Sequence, residues 1–295
     1  MQPSAQVLRV PEHDESIIDL SQSSRPALGV GLGEATSYGP QPSRGRCPPD
    51  MVVVLNSYCV DRYEVALLDA AQGRLLSPHY PPSKQYTVSL LEQWQRNASK
   101  SKGPLGLQLS VPPPPSFQLE EEFEPRAESK AGVLPSGYLT RGLAEVACKN
   151  AGKRLCSREE WVRACRGEQD RNFPYGNEYE ALACNVHRLS HPASLLHGSA
   201  SKNHLDPRLN LTQDDQGSLL RATGATERCV SSWGDDGIYD MVGNLDEWIV
   251  DVDGTFLGGF YSRATTQGCQ ASIDSHAPAY LDYSLGTRCC RDISN

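Results

Sequence analysis

The chain has 295 residues, a length typical of about two domains, although one irregular domain can absorb it. A hydrophobic share of 38% with 22% charged residues is ordinary for a soluble globular protein and excludes a disordered polyampholyte. The formal net charge is -8 and no basic patch is present, so nucleic acid is not expected as a main partner. The longest apolar run, residues 51–55, is far shorter than the ~20 residues that cross a bilayer, so no membrane span is expected.

Cysteine is abundant, with ten residues against three methionines. The cysteines form no paired Cys-x-x-Cys knuckles, so disulfides are a better interpretation than a zinc ribbon. Disulfides persist in oxidising compartments, which predicts a periplasmic or secreted protein. Residues 1–24, however, contain no basic stretch followed by an apolar one, so no signal peptide is visible. Either the export signal is missing from this start, or the thiols are reduced in a cytosol.

The first 46 residues are rich in Ser, Pro and Gly and predict a flexible N-terminal arm, followed by a single domain over residues 47–295. The domain begins with a β-branched run at 51–55, which predicts a strand. A second strand is predicted at 58–64 from its alternation. Paired as a hairpin, the two strands would bring Cys47 near Cys59.

The sequence after these strands predicts an irregular insertion that precedes the first helix. Residues 78–135 contain a polyproline stretch at 112–115 and are interpreted as a Pro-rich insertion or flap. A helical pattern returns over 138–150, with Leu143, Val146 and Ala147 expected on its buried face and Gly152 as the left-handed residue after its end.

A second helix is predicted to begin at Ser157, which with Glu160 forms a capping box. Its inward face would carry Trp161 and Cys165, at helical spacing. After Gly167 the periodicity disappears and the sequence predicts mostly loop.

Several short motifs follow one another in order along the second half of the chain. They are Ala151-Gly152-Lys153-Arg154-Leu155, Glu160-Trp161, Cys165-Arg166-Gly167, Phe173-Pro174-Tyr175-Gly176, Cys184-Asn185-Val186, Gly237-Ile238-Tyr239-Asp240-Met241-Val242-Gly243-Asn244-Leu245-Asp246-Glu247-Trp248, Gly258-Gly259-Phe260 and Leu285-Gly286-Thr287-Arg288-Cys289. This order resembles the formylglycine-generating enzyme family, also called the sulfatase-modifying factor domain, over residues 48–291. The resemblance implies one irregular α+β domain of the C-type-lectin-like type, with low regular secondary structure and often with disulfides and calcium.

A calcium site is expected at the longest of these motifs. Asp240, Glu247 and the backbone carbonyls of Gly243 and Leu245 are oxygen donors that a tight turn can bring together, as calcium requires, and the family binds calcium at matching positions. The alternative is that Asp240 caps a turn and Glu247 pairs with a surface arginine.

A second calcium site of the family begins at the positions of Asn185 and Val186. Here it looks damaged, because Leu220 stands where the family supplies an Asp, and a leucine side chain has no ligand oxygen. A crosslink between Cys184 and Cys229 is the hypothesis for what tethers this region instead.

The family also implies disulfide pairs. Carried over, they link Cys148 to Cys289 and Cys165 to Cys269, which leaves Cys156 with Cys290 beside the hairpin pair Cys47 and Cys59. The alternative is a reduced domain whose cysteines merely pack in the core.

Catalytic members of the family bind copper(I) through two cysteines shortly after the Gly-Gly strand and oxidise a substrate cysteine to formylglycine. In this chain the stretch shortly after Gly259 contains a single cysteine, Cys269, so copper is not expected. Asp246 replaces an aromatic residue of the family's peptide groove, and Ser272 stands near the place of an expected arginine.

Two functions therefore remain open at the level of sequence. One is a non-catalytic or diverged member that binds a protein, peptide or small ligand on its loop surface. The other is an oxidoreductase of the formylglycine-generating type with a rearranged metal site. His187, His191, His197 and His204 form the other candidate metal set, against an interpretation as loop histidines.

Overall fold

The computed structural model of the chain describes residues 47–274 and 276–293. All of these residues belong to one compact unit. The arm predicted over residues 1–46 lies outside the described residues, so both the arm and its boundary stay predictions.

Short strands make up most of the regular structure. In chain order they are β1 (Met51–Val54), β2 (Tyr58–Asp61), β3 (Val65–Asp69), β4 (Pro125–Ser129), β5 (Arg154–Leu155), β6 (Gln213–Asp214), β7 (Gly217–Ser218), β8 (Val230–Trp233), β9 (Asp236–Tyr239), β10 (Asp246–Trp248), β11 (Phe256–Leu257), β12 (Ser272–Ile273), β13 (Leu285–Thr287) and β14 (Cys289–Asp292). Within the described residues they form two four-stranded sheets, ordered β1-β2-β14-β5 and β12-β11-β10-β13, and three two-stranded pairs. No strand exceeds five residues, so loops carry much of the chain.

The predicted hairpin is confirmed, with Met51 opposite Asp61 and Val54 opposite Tyr58. Its first strand is one residue shorter than predicted because Leu55 and Asn56 turn the chain with φ values of 51° and 54°. The second strand ends at Asp61 rather than at residue 64. β14 pairs with the open side of β2, which brings the end of the described chain beside its beginning.

The second sheet is built around β10. β10 runs parallel to β13, with Asp246 opposite Leu285, and antiparallel to β11, with Glu247 opposite Leu257. Parallel neighbours require a long connection, and here 36 residues, from 249 to 284, lie between the two strands. The first residue of β10, Asp246, therefore lies next to the loop that leads into β13, since its amide donates to the Ser284 carbonyl at 2.9 Å.

Five α-helices are described: α1 (Lys84–Asn97), α2 (Phe117–Glu120), α3 (Arg141–Asn150), α4 (Arg158–Arg166) and α5 (Pro192–His197). The capping box predicted for α4 is confirmed, since Ser157 Oγ accepts from the Glu160 amide and Glu160 accepts from the Ser157 amide. Trp161 and Cys165 are buried, as predicted.

Helix α3 begins three residues later than predicted, because Thr140 caps it by accepting a hydrogen bond from the Leu143 amide at 3.1 Å. Its buried face carries Ala144, Ala147 and Cys148 rather than Leu143 and Val146. Gly152 has a φ of +69°, as the left-handed residue after the helix requires.

The segment 78–135 is more regular than predicted. It contains α1, a 14-residue helix that buries Thr87, Leu90 and Trp94, a set at helical spacing. It also contains β4, which pairs along its whole length with β3, from Val65 opposite Ser129 to Asp69 opposite Pro125. The description as irregular was wrong for these elements, because α1 contains no proline and β4 has one at its first position, where a strand tolerates it.

The core is divided among several clusters of buried side chains. One packs Trp161 of α4 against Met241, Ile249 and Leu257. Another lies around Trp248 and Phe256, whose ring centroids are 5.1 Å apart in an edge-to-face contact. Among the described residues, no helix has the length and apolarity needed to cross a bilayer.

Candidate functional site

The carboxylate of Glu247, expected to bind calcium, is occupied by protein donors. Arg288 Nε and Nη2 each lie 2.7 Å from a Glu247 oxygen, and Trp161 Nε1 donates to Oε2 at 2.6 Å. All three residues are buried. The alternative of an arginine partner describes Glu247 better than calcium, except that the arginine is buried instead of at the surface.

Asp240 is likewise committed to the protein. Its Oδ2 accepts a hydrogen bond from the Gly224 amide at 2.7 Å, and burial, opposed by that amide and by Arg288, raises the pKa of Asp240 to about 6. Gly243 is required at the turn, since it has a φ of +86° and a Cβ there would lie 2.3 Å from the Asn185 carbonyl oxygen. One oxygen of Asp240 is therefore already taken by a backbone donor.

Glu64, which the sequence analysis did not single out, completes this buried group. It accepts from the Leu245 amide at 2.9 Å and from Asn244 Nδ2 at 2.6 Å. Burial, and then the negative charges of Asp240 and Glu247, raise the pKa of Glu64 well above its usual range. The first expected calcium site is therefore a network of carboxyl groups held by arginine and amide donors, and its donor set does not fit calcium.

The second expected site is held together by protein bonds. Cys184 is joined to Cys229, and Asn185 Nδ2 donates to the Leu219 carbonyl at 2.9 Å, next to Leu220, which is buried. These bonds tether residues 184–186 to 219–229, as the crosslink hypothesis requires. Asn185 Oδ1 is buried without a hydrogen-bond partner among the described residues, so calcium at Asn185 and Val186 stays a prediction.

All ten cysteines lie within the described residues and all are bridged. The bonds join the pairs expected from the sequence, namely Cys47–Cys59, Cys148–Cys289, Cys156–Cys290, Cys165–Cys269 and Cys184–Cys229. Five disulfides are typical of a protein from an oxidising compartment.

The loop after Gly259 contains no free thiol. Its one cysteine, Cys269, is buried and bonded to Cys165 of α4. In place of thiols, this loop presents Phe260 and Arg263, and Arg263 Nη1 donates to Asp246 Oδ1 at 2.7 Å. The guanidinium also lies over the Phe260 ring, 5.2 Å from its centroid.

Around this ion pair lies a polar and aromatic group that we call the Asp246 cluster. It comprises Asp246, Arg263, Asp282, Tyr280, Tyr283, His191, His204 and Phe260. Asp246 begins β10, Phe260 and Arg263 follow the Gly-Gly turn, and the other members come from loops and from the N-cap of α5. The cluster is therefore assembled from distant parts of the chain by the β10–β13 pairing.

Asp246 is buried, whereas the Arg263 side chain is 31% exposed, so the guanidinium lies on the solvent side of the carboxyl group. Burial raises the pKa of Asp246 to about 7, with Arg263 opposing the shift and the negative charge of Asp282 adding to it. Asp246 Oδ2 has no hydrogen-bond partner among the described residues.

Asp282 is the second carboxylate of the cluster. Its Oδ1 accepts from the amide and hydroxyl of Ser284 at 2.8 and 2.7 Å, and its Oδ2 accepts from Tyr280 Oη at 2.6 Å. His204 Nδ1 lies 3.9 Å from Oδ2. Neutral hydroxyl and amide donors thus hold Asp282 in place.

Tyr283 connects the two histidines of the cluster. Its hydroxyl lies 3.2 Å from His191 Nε2, and its ring makes edge contacts with His204 and Phe260 at centroid distances of 5.8 Å. Burial, and then His204, lower the pKa of His191, so its neutral form is favoured. Burial, and then Asp282, raise the pKa of Tyr283 well above its usual range.

The four histidines considered as a metal set do not converge. His191 and His204 are neighbours, with ring centroids 6.5 Å apart, but His197 pairs with Asp206 and His187 contacts Tyr179. Among the residues that the structure describes, no group of three or more His, Cys, Asp or Glu side chains is arranged to hold a metal ion.

A separate cleft of about 600 Å³ lies between α3 and α4. Three of its charged side chains are already paired within the protein: Arg154 Nη2 contacts Glu160 at 2.7 Å, and Lys153 contacts Asp50 and Asp61 at 2.5 Å.

The sequence profile of the Sulfatase-modifying factor enzyme 1-like domain matches residues 126–293. The chain belongs to this family. The resemblance drawn from the motifs is thereby confirmed, and so is the irregular α+β fold with low regular secondary structure. Every member of the Asp246 cluster lies within the matched part of the sulfatase-modifying factor domain.

Solved structures resemble the chain at low sequence identity. The Major Tropism Determinant P3c variant has a TM-score of 0.40 and 14% identity, over 84% of this chain and 53% of that one. PvdO from Pseudomonas aeruginosa has a TM-score of 0.36 and 14% identity, over 80% of each chain. CarF has a TM-score of 0.35 and 14% identity, over 80% of this chain and 87% of that one. The chain thus spans about half the length of the Major Tropism Determinant structure, and no curated protein sequence matches it significantly.

Proposed function

We propose that this sulfatase-modifying factor domain is a non-catalytic binding module, stabilised by disulfides, that recognises a protein, peptide or small ligand through the loops around Asp246. The observation that carries the proposal is the Cys165–Cys269 disulfide. Cys269 is the one cysteine between the Gly-Gly turn and the adjacent pair Cys289 and Cys290, and the disulfide removes its thiol. Cys289 and Cys290 are themselves bonded to Cys148 and Cys156.

The chemistry of formylglycine synthesis argues in the same direction. Oxidation of a thiol by oxygen needs a redox cofactor, because protein side chains do not activate oxygen by themselves. Copper(I) prefers thiolate ligands, and a bridged cysteine supplies none. Between Phe260 and Gly268 the chain has no cysteine, so the described residues offer no thiolate pair at this position.

The loops around Asp246 have properties expected of a binding surface. The side chains of Arg263 and His204 are 31% and 34% exposed. Arg263 contacts the buried carboxyl group of Asp246, and His204 lies beside that of Asp282. Several disulfides fix the elements that bear these loops, so little conformational entropy is lost when a ligand binds. Functional residues are commonly found on loops that a rigid scaffold positions.

The disulfides also support an exported protein. Five bridges in one domain are rare in a reducing cytosol, so we propose a periplasmic or secreted location.

Copper(I) titration tests the non-catalytic assignment. The native protein is titrated against a chromogenic copper(I) chelator, and oxygen consumption is followed with a Cys-x-Pro-x-Arg peptide. We expect no competition for copper and no oxygen uptake above the peptide alone. The reduced, denatured protein, which exposes ten thiols, is the positive control for copper binding. Copper binding by the native protein with peptide-dependent oxygen uptake would establish an oxidase and overturn the proposal.

A further inference from the structure

Two buried polar atoms without hydrogen-bond partners among the described residues lie beside Gly259. One is Asp246 Oδ2 and the other is Thr265 Oγ1. A Cβ on Gly259 would lie 2.2 Å from Thr265 Oγ1, and the Gly259 amide is among the groups that stabilise the charged form of Asp246. Leaving such an atom buried and unpaired is destabilising, so a donor that reaches both atoms would be favoured.

The charges around these atoms favour a positively charged donor. Asp246 and Asp282 are close enough for the charge of Asp282 to raise the pKa of Asp246. The negative charges of both carboxylates also raise the pKa values of Tyr280 and Tyr283. These two carboxylates have one guanidinium beside them, that of Arg263, which contacts only Oδ1 of Asp246. An additional cation would neutralise the remaining negative charge.

Aromatic rings line the same place. Phe260 already has the Arg263 guanidinium over its face, and the Tyr283 ring meets Phe260 edge-on at 5.8 Å. Carboxylate oxygens together with aromatic rings are groups that recognise ammonium ions. The neutral form of His191, which its lowered pKa favours, adds no competing positive charge.

We propose that the Asp246 cluster binds a protonated amino group, which donates hydrogen bonds to Asp246 Oδ2 and Thr265 Oγ1. An ammonium group is compact and has three N–H donors, enough for both atoms and one further acceptor. The inference rests on the proposed binding function and names the chemical class of its ligand. The amino group belongs either to a small free amine or to a lysine side chain of a peptide, and both sources share this chemistry.

Calorimetric titration of the intact, oxidised protein at pH 8 and low salt tests the proposal. The probes are cadaverine, acetyl-lysine methylamide and the peptide acetyl-Gly-Lys-Gly-amide, with acetyl-norleucine methylamide as the uncharged match for lysine. We expect at least one amine to bind at least tenfold more tightly than the norleucine compound. Tighter binding of the peptide than of cadaverine identifies a peptide source, and the reverse identifies a free amine.

Variants separate specific binding from general attraction to an acidic protein. Asp246→Asn and Thr265→Val keep the side-chain shapes, and we expect them to weaken the amine at least tenfold and several-fold, respectively. Asp170→Asn makes the same change in an exposed carboxylate that pairs with Arg166, and we expect no effect. Equal weakening by Asp170→Asn and Asp246→Asn would overturn the proposal.

Arg263→Gln gives a test that misfolding cannot imitate. Because the variant removes the cation that competes for Asp246 but also raises the pKa of that carboxyl group, it is titrated at pH 9, where we expect the amine affinity to rise at least fivefold. The wild-type affinity should also rise between pH 6 and pH 8, as the carboxyl group of Asp246 loses its proton. Absence of amine binding in both wild type and Arg263→Gln would overturn the amine assignment, whereas the proposed function would fail separately, in the copper and oxygen measurements.

Discussion

Arg288 and Glu247 form a two-point ion pair inside the core, with Nε–Oε2 and Nη2–Oε1 distances of 2.7 Å and both side chains inaccessible to solvent. Arg288 Nη2 also donates to the Tyr239 carbonyl at 2.9 Å, and Nη1 donates to the Asp61 carbonyl at 3.2 Å. The guanidinium thus joins β10 to the N-terminal hairpin and to β9, and it takes the Glu247 oxygens that a calcium ion would need.

Removal of this arginine should be strongly destabilising. Arg288→Met leaves Glu247 buried without its cation, and we expect the free energy of unfolding to fall by about 3–5 kcal/mol. The matched control is Arg228→Met, which breaks the exposed ion pair with Glu180 and should leave the free energy of unfolding almost unchanged. Urea denaturation measures both, and equal losses would show that the buried pair has no special role.

Calcium should not stabilise the turn that contains Glu247. Because the oxygens of Glu247 are occupied by Arg288 and Trp161, we expect the melting temperature to be the same in EDTA and in millimolar calcium chloride. If calcium raises the melting temperature, Asn185→Ala and Asp240→Asn locate the ion. Loss of the effect in Asp240→Asn would contradict the present description of that turn, and loss in Asn185→Ala would establish the second expected site.

The Cys165–Cys269 bridge should contribute more stability than the Cys47–Cys59 bridge. The first closes a loop with a sequence separation of 104 and the second one of 12. Loop-closure entropy then favours the longer bridge by about 2 kcal/mol. The double variants Cys165→Ala/Cys269→Ala and Cys47→Ala/Cys59→Ala, compared by urea denaturation, measure this difference. A larger loss from the short bridge would argue against the entropic explanation.

The elements predicted correctly from the sequence have local signals. The hairpin follows from a β-branched run bounded by proline and asparagine, and α4 follows from its capping box. Helix α1 also has a helical pattern in its sequence, since Thr87, Leu90, Leu91 and Trp94 are spaced three and four residues apart. The helix was not predicted because proline-rich stretches lie on both sides of this pattern. On α3, the Cys148–Cys289 bond turns Cys148 and Ala144 inward in preference to Leu143.

The candidate site was less accessible to sequence analysis. Asp246 stood out as a departure from the family pattern, but its partners are distant along the chain. Arg263 reaches it from the loop after the Gly-Gly turn, and Asp282 reaches it because β10 and β13 pair in parallel. Glu64 joins the core network through contacts with Asn244 and Leu245, about 180 residues away. Only the folded structure brings such groups together.

The raised pKa of Asp246 predicts a specific dependence of stability on pH. The folded state retains a proton up to about pH 7 that the unfolded chain releases near pH 4. Between these values the Asp246 carboxyl group binds more protons in the folded state, so its contribution to the free energy of unfolding falls as the pH rises. Relative to wild type, Asp246→Asn should therefore gain a few kcal/mol of stability from pH 4 to pH 7.

Urea denaturation at pH 4, 5.5 and 7 measures this gain as the difference between variant and wild type, so the other titrating groups largely cancel. Asp251→Asn is the control. The hydrogen bond from Thr255 lowers the pKa of Asp251, so the proton is lost in both states above pH 4 and this variant should show a flat difference. A flat difference for Asp246→Asn as well would mean that its carboxyl group is charged throughout the range.

Thiol counting addresses most directly whether the cysteines serve as structural crosslinks. The oxidised protein is denatured without reductant and titrated with a chromogenic disulfide reagent, and non-reducing peptide mapping then assigns the bonds. We predict no reactive thiol and the five pairs of the structure, including Cys165–Cys269. Two reactive thiols in the native protein, one of them Cys269, would contradict the assignment of this domain as a non-catalytic module.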